Sequence, residues 1–169
     1  MERRRKLHFL GLCAAVGLSG MATGAAAASA SAGLDIRPHE APATCGARAP
    51  QVRVTVENVT AQGILTVELY RPSENDFLKQ ESRVHRIRVP AQDGTQTVCF
   101  DIENSGTYAL AAYQDLDADR DLDQKWNLMP AEPFALSRRG KIPFRKPVFD
   151  DAAFEVPPAG VTVRIKLQR

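Results

Sequence analysis

From Gln51 onward the chain alternates between apolar and polar side chains. Val52, Val54 and Val56 are interleaved with Arg53, Thr55 and Glu57, the period-two pattern of a half-buried strand. The pattern recurs in Leu65, Val67 and Leu69 against Thr66, Glu68 and Tyr70, and in His85, Ile87 and Val89 against Val84, Arg86 and Arg88. Val98, Phe100 and Ile102 alternate with Thr97, Cys99 and Asp101, and Tyr108, Leu110 and Ala112 continue the theme. Residues 149–156 resume extended structure, and Val161, Val163, Ile165 and Leu167 make the clearest strand of all. Gln62-Gly63, Asp93-Gly94, Ser105-Gly106 and Pro157-Pro158-Ala159-Gly160 supply the turns. Ser73 and the acidic residues after it predict one short helical turn through Lys79. About seven strands without a long amphipathic helix predict one all-β domain over residues 51–169, an antiparallel β-sandwich. Residues 104–108 have the form of a tyrosine corner, in which a Tyr hydroxyl ties its strand to the preceding loop.

One long connection, residues 114–147, breaks the alternation. A stretch of that length without its own pattern is often functional. It opens with aspartates at every second position: Asp115, Asp117, Asp119, Asp121 and Asp123. Such crowding is unfavourable unless the carboxylates are solvated, with Arg120 and Lys125 nearby, or share a hard cation. Loop oxygens at relative positions one, three and five converge as Ca²⁺ requires, and a shell of oxygens alone argues against zinc or copper. The loop is not a regular EF-hand, because Arg120 occupies the sixth position and Trp126 the twelfth. Trp126, Phe134 and Phe144 surround it, either as a platform for a sugar or peptide or as pins that hold the loop to the sandwich.

The first 30 residues stand apart from the fold. A basic segment at residues 3–6 precedes a short apolar run and an Ala/Ser-rich tract, the pattern of a cleavable signal peptide. Cleavage after Ala30 is preferred, with Ala26 and Ala32 as competitors. The apolar run is too short to span a membrane, so the mature chain is expected to be periplasmic or extracellular without a transmembrane segment. The whole chain carries a formal charge of +2, of which residues 1–30 supply +3, leaving −1 on the mature chain. With no basic patch remaining, nucleic-acid binding is not expected. Residues 31–50, with Pro38, Pro42 and Pro50, read as an extended arm. Cys45 and Cys99 remain in the mature chain, and in an oxidising compartment they are expected to pair. Two buried free thiols are the alternative. A bridge closing so long a loop contributes about 4 kcal/mol by constraining the unfolded chain.

Three ordered motifs over residues 50–168 resemble a secreted bacterial family, domain of unknown function 2141. Residues 115–123 match its D-x-N-x-N-G-x-L-D loop, with Asp117 and Asp119 for Asn and Arg120 for Gly. Residues 128–137 match G-x-P-x-E-P-[FY]-x-x-S with Leu128 for Gly, and residues 149–154 match F-x-x-A-x-F. The resemblance implies an immunoglobulin-like or transthyretin-like sandwich without an established activity. It also places Glu132 at a fixed distance from the loop, either as a distal cation ligand or as a partner for Arg138 or Arg139.

No nucleophile elbow, zinc-protease helix, P-loop or dinucleotide fingerprint is present. His39 lies in the arm and His85 on a strand, where a packed or rim imidazole is expected. The reading is an exported, non-catalytic module with a Ca²⁺-stabilised loop at the cell envelope. Its partner would be a carbohydrate, a peptide or an envelope component. The alternative is a metal-dependent hydrolase, which requires an open cation position with Glu132 or His85 as base.

Overall fold

A computed structural model describes residues 33–73, 75–126, 129–138 and 145–169. The predicted signal segment, Leu128, Arg139 and Phe144 lie outside the described residues. The described chain is all-β. Its strands are β1 (Gln51–Val59), β2 (Ile64–Tyr70), β3 (Arg83–Pro90), β4 (Gly94–Asp101), β5 (Gly106–Asp115), β6 (Phe134–Leu136), β7 (Ala153–Val156) and β8 (Val161–Lys166). One sheet runs β4-β1-β8, and the other runs β3-β2-β5-β6 with β7 also paired to β5. All pairs are antiparallel except β1 with β8, which run parallel from Val52↔Val161 to Glu57↔Lys166.

The inward sets predicted from alternation meet in one core. Val52, Val54 and Val56 of the first sheet pack with Leu65, Val67, Leu69, Ile87 and Leu110 of the second. Cys45 and Cys99 form a disulfide that fastens the N-terminal arm to β4. The Tyr108 hydroxyl donates to the carbonyl of Asn104 at 2.8 Å, completing the tyrosine corner. Ser73 behaves as a turn cap, its Oγ accepting from the Asp76 N–H at 3.1 Å, and among the described residues of this connection the short 3₁₀ turn lies later, at Gln80–Ser82.

Two features depart from expectation. The connection over residues 114–147 is not patternless: β5 continues to Asp115, and an eighth strand, β6, pairs Leu136 with Ala111 and Phe134 with Tyr113. Three residues flanked by Pro133 are too few to display a period, so this strand forms only because the edge of β5 is there to accept it. The second sheet is also covered on both faces. All seven residues of β2 are buried, including Thr66, Glu68 and Tyr70 on the side away from the core. Phe77 and Phe149 cover one end of this outer face, packing with Tyr70 and the alanines of β5. The N-terminal arm and the aspartate loop cover the other end, through Glu40 and Arg120. Among the described residues no helix is long and apolar enough to cross a membrane.

Candidate functional site

The aspartate loop leaves β5 at Asp115 beside the turn between β1 and β2. Gly63 makes that approach possible: its φ is +69°, and a Cβ there would collide with the backbone carbonyl of Asp115. Gln114 secures the turn from the other side. Its buried amide donates to the carbonyls of Thr60 and Gln62 at 2.8 and 2.7 Å and accepts from the Thr60 N–H at 3.1 Å.

Asp115 is fully buried and its carboxylate organises the loop internally. Oδ1 accepts from the Asp119 N–H at 3.2 Å, and Oδ2 from the Arg120 N–H at 2.8 Å. The chain makes this bend with Ala118 at φ +62° and Arg120 at φ +82°. Arg120 thus adopts the left-handed conformation that explains a Gly at this position in the family motif. The chain then doubles back. Lys125 donates to the Met129 carbonyl and Ala131 to that of Asp123, both at 2.7 Å, and Gln124 bridges Pro130. This return brings Glu132 to the loop's base, where Oε1 accepts from the Leu116 N–H at 2.6 Å and Oε2 from the Asp123 N–H at 3.2 Å.

One carboxylate oxygen from each of Asp115, Asp117 and Glu132 lies within 4.8 Å of the others. Asp115 and Glu132 are buried, while Asp117 is exposed. Among the described residues, no Lys, Arg or His side chain is ion-paired with any of the three. Burial pushes the Asp115 carboxyl up against the pull of the Arg120 and Ala118 N–H groups, and the Asp119 and Asp117 carboxylates add to the rise. Burial likewise raises Glu132, with Asp115 and Asp123 pushing the same way against the Leu116 and Asp123 N–H groups. Two buried like charges without a counter-ion are expensive, and a proton or a cation relieves them.

The other predicted ligands sit elsewhere. Asp119 accepts from the Asp121 N–H at 2.9 Å, and neither these two nor Asp123 joins the cluster. Glu132 makes no ion pair with Arg138, whose guanidinium reaches the Asp150 carbonyl instead. Trp126 is 96% exposed, so it neither pins the loop nor lines a cleft, whereas Phe134 lines a cleft on the outer face of the second sheet. His85 packs edge-on against Phe100 at 5.7 Å. It lies on the side of β3 that Ile87 turns to the core, opposite to Arg86 and Arg88, and is itself exposed at the rim, whereas Arg88 is the β3 residue that reaches the loop.

The family model for uncharacterized proteins conserved in bacteria, DUF2141, matches residues 54–164. The chain belongs to DUF2141. No curated protein and no solved structure matches the chain. The DUF2141 match spans β1 through the middle of β8, so it includes both sheets, the aspartate loop and Glu132. It begins after the arm that supplies Glu40.

That arm contributes the residue least visible in the sequence. Glu40 Oε1 lies 2.5 Å from Arg88 Nη1 and 2.8 Å from Arg120 Nη2, deep under the arm. Arg88 is 1% exposed, and its second Nη donates to the Arg120 carbonyl at 2.5 Å. A second ionic group occupies the same face. Glu68 Oε1 accepts from Arg83 at 3.0 Å and Arg86 at 2.5 Å, while the Tyr70 hydroxyl donates to Oε2. Burial, then the charge and bond of Glu68, push the Tyr70 phenol far up, so it stays protonated. The only hint of either group was that Arg86 and Arg88 share one face of β3; their acidic partners follow from cross-strand register and from the path of an aperiodic arm.

Proposed function

We propose that this DUF2141 chain is an exported, non-catalytic β-sandwich module whose aspartate loop is closed by Ca²⁺, with a binding or structural role at the cell envelope or outside it. The observation that carries the reading is the convergence of Asp115, Asp117 and Glu132 within 4.8 Å, with no cationic side chain among the described residues ion-paired to them. A calcium ion would draw on those carboxylates, with water completing the exposed side at Asp117. Hard oxygen donors suit Ca²⁺ or Mg²⁺, and the mixed, irregular donor set favours the more permissive Ca²⁺. The ion would supply the positive charge that two buried carboxylates lack. Export is supported by the Cys45–Cys99 disulfide together with the basic, apolar and Ala-rich order of the first 30 residues.

The absence of catalysis is supported by the way the two buried carboxylates are already engaged. Both oxygens of Glu132 accept backbone N–H groups, and His85 faces away from the loop, so neither stands ready as a base for a metal-bound water.

Trp126 is the chain's single tryptophan and lies three residues beyond Asp123, which makes it an internal reporter. Calcium titration of the mature protein should shift Trp126 emission with half-saturation at about 10⁻⁴–10⁻³ M, as for extracellular modules. Emission indifferent to calcium, with no calcium retained on elemental analysis, would overturn the reading.

A further inference from the structure

We propose that the cleft on the outer face of the second sheet binds a small organic anion, a single carboxylate carried on an apolar body. The cleft has a volume of about 800 Å³ and lies between the hairpin return of the aspartate loop and residues 145–147. That volume lies within the range, roughly 300–1,000 Å³, of small-molecule sites. The inference rests on residues separate from the proposed calcium cluster.

The floor of the cleft is one cross-strand row: Arg86, Glu68, Ala111 and Leu136, on β3, β2, β5 and β6 in turn. Arg83 stands beside it. Arg83 and Arg86 converge on the same oxygen of Glu68, and Tyr70 occupies the other oxygen. Two guanidinium groups therefore share one carboxylate, and the trio retains one positive charge. Each guanidinium has five N–H donors, and Glu68 engages one from each. Among the described residues no hydrogen bond occupies the others. Both side chains are partly buried, at 18% and 26% exposure, so these donors are half-desolvated and fixed in position by Glu68. Of the rim cations, Arg145 is spent on a bidentate pair with Asp151, whereas Lys146 is exposed.

The walls carry an apolar surface between polar edges: Gln124 lies on the loop side, and the exposed Asp121 and Lys146 carry opposite charges that offset each other. Phe134 and Leu136 of β6 line one side, with Leu122 and Met129 from the loop, and Leu78 stands at the rim. Leu78 is held at φ +66° and is 38% exposed, while its neighbour Phe77 enters the packed cluster beneath. A leucine kept in the left-handed region at a cleft edge is backbone strain of the kind that gathers at ligand sites. One surplus positive charge beside a hydrophobic wall matches a monoanion with an apolar tail. A bare anion would leave the wall unused, and a neutral amphiphile would leave the donors unpaired.

Isothermal titration of the mature protein with octanoate, octan-1-ol and acetate tests this. Octanoate should bind at least about tenfold more tightly than either comparator, the scale of one charge-assisted hydrogen bond. Arg86→Met should weaken octanoate about tenfold, with Glu68 still held by Arg83 and Tyr70. Leu78→Gly removes wall surface but relieves the positive φ, so it should weaken octanoate without lowering the melting temperature. That second variant separates loss of binding from loss of folding. Octan-1-ol or acetate binding as tightly as octanoate would overturn the proposal, as would affinity unchanged in both variants or no octanoate binding at all.

Discussion

Arg120 Nη2 lies 2.8 Å from Glu40 Oε1, so the residue at the tight turn of the aspartate loop is ion-paired to the N-terminal arm, 80 positions earlier. Arg88 shares that oxygen from the sheet beneath. One buried carboxylate thus joins three parts of the chain that have no local connection: arm, β3 and loop. The disulfide at Cys45 anchors the same arm five residues further on, so the segment is fastened by a covalent bond and by an ionic one.

Removing the Glu40 charge leaves Arg88 buried without its counter-ion. Glu40→Gln is expected to cost about 3–5 kcal/mol in urea unfolding, the scale for breaking one side of a buried pair. A surface pair makes the contrast: Lys79 with Asp76 sits in solvent, and Lys79→Ala should change stability by under about 1 kcal/mol.

Acid should find the same residue. Burial alone would raise the Glu40 carboxyl, but the Arg37 N–H, the bond from Arg120 and the charge and bond of Arg88 outweigh it and lower it from 4.5 to about 2. A depressed carboxylate contributes stability above its unfolded value, and that contribution is lost as pH falls through the folded value. The window therefore runs from pH 4.5 down to about 2. Across it the wild type should lose on the order of 3 kcal/mol more than Glu40→Gln when urea midpoints are compared.

The two left-handed residues of the aspartate loop should respond oppositely to glycine. Ala118→Gly relieves φ +62° at a residue whose side chain makes no bond, and should be neutral or stabilising by up to about 1 kcal/mol. Arg120→Gly relieves φ +82° but severs the links to Glu40 and Asp35, so it should be net destabilising and should speed proteolysis of the arm. Equal gains from both variants would mean that the arginine's ionic contacts contribute little.

The framework of the sandwich could be read from alternation because each inward strand face was already complete within a few residues. Val52-Val54-Val56 and Val163-Ile165-Leu167 needed no partner to declare their buried side. Tyr108 was readable for a similar reason, since its hydroxyl bonds to a carbonyl only four residues away. The outer face of the second sheet was not readable in this way. Thr66, Glu68 and Tyr70 look like a solvent-facing set until Phe149, Glu40 and Arg120 arrive from distant segments to cover them. The aspartate spacing pointed to a shared centre but not to its membership. Backbone N–H groups take up Asp119, and only the return of the chain through Gln124 and Pro130 brings Glu132 beside Asp115. Arg120 in place of the motif's Gly counted against a tight turn, yet the turn forms with Arg120 at φ +82°, and its side chain's use as a link to the arm left no trace in the sequence.

A cation shared by Asp115, Asp117 and Glu132 should be visible in thermal unfolding of the chain without its first 30 residues, compared in EDTA and in calcium. At calcium tenfold above half-saturation the midpoint should rise by about 5 °C, and Asp117→Asn should abolish most of that rise while leaving the EDTA midpoint nearly unchanged. Identical midpoints in calcium and EDTA would mean that no cation is shared there, and that the carboxylates are held by backbone N–H groups while Arg120 ties the loop to the arm.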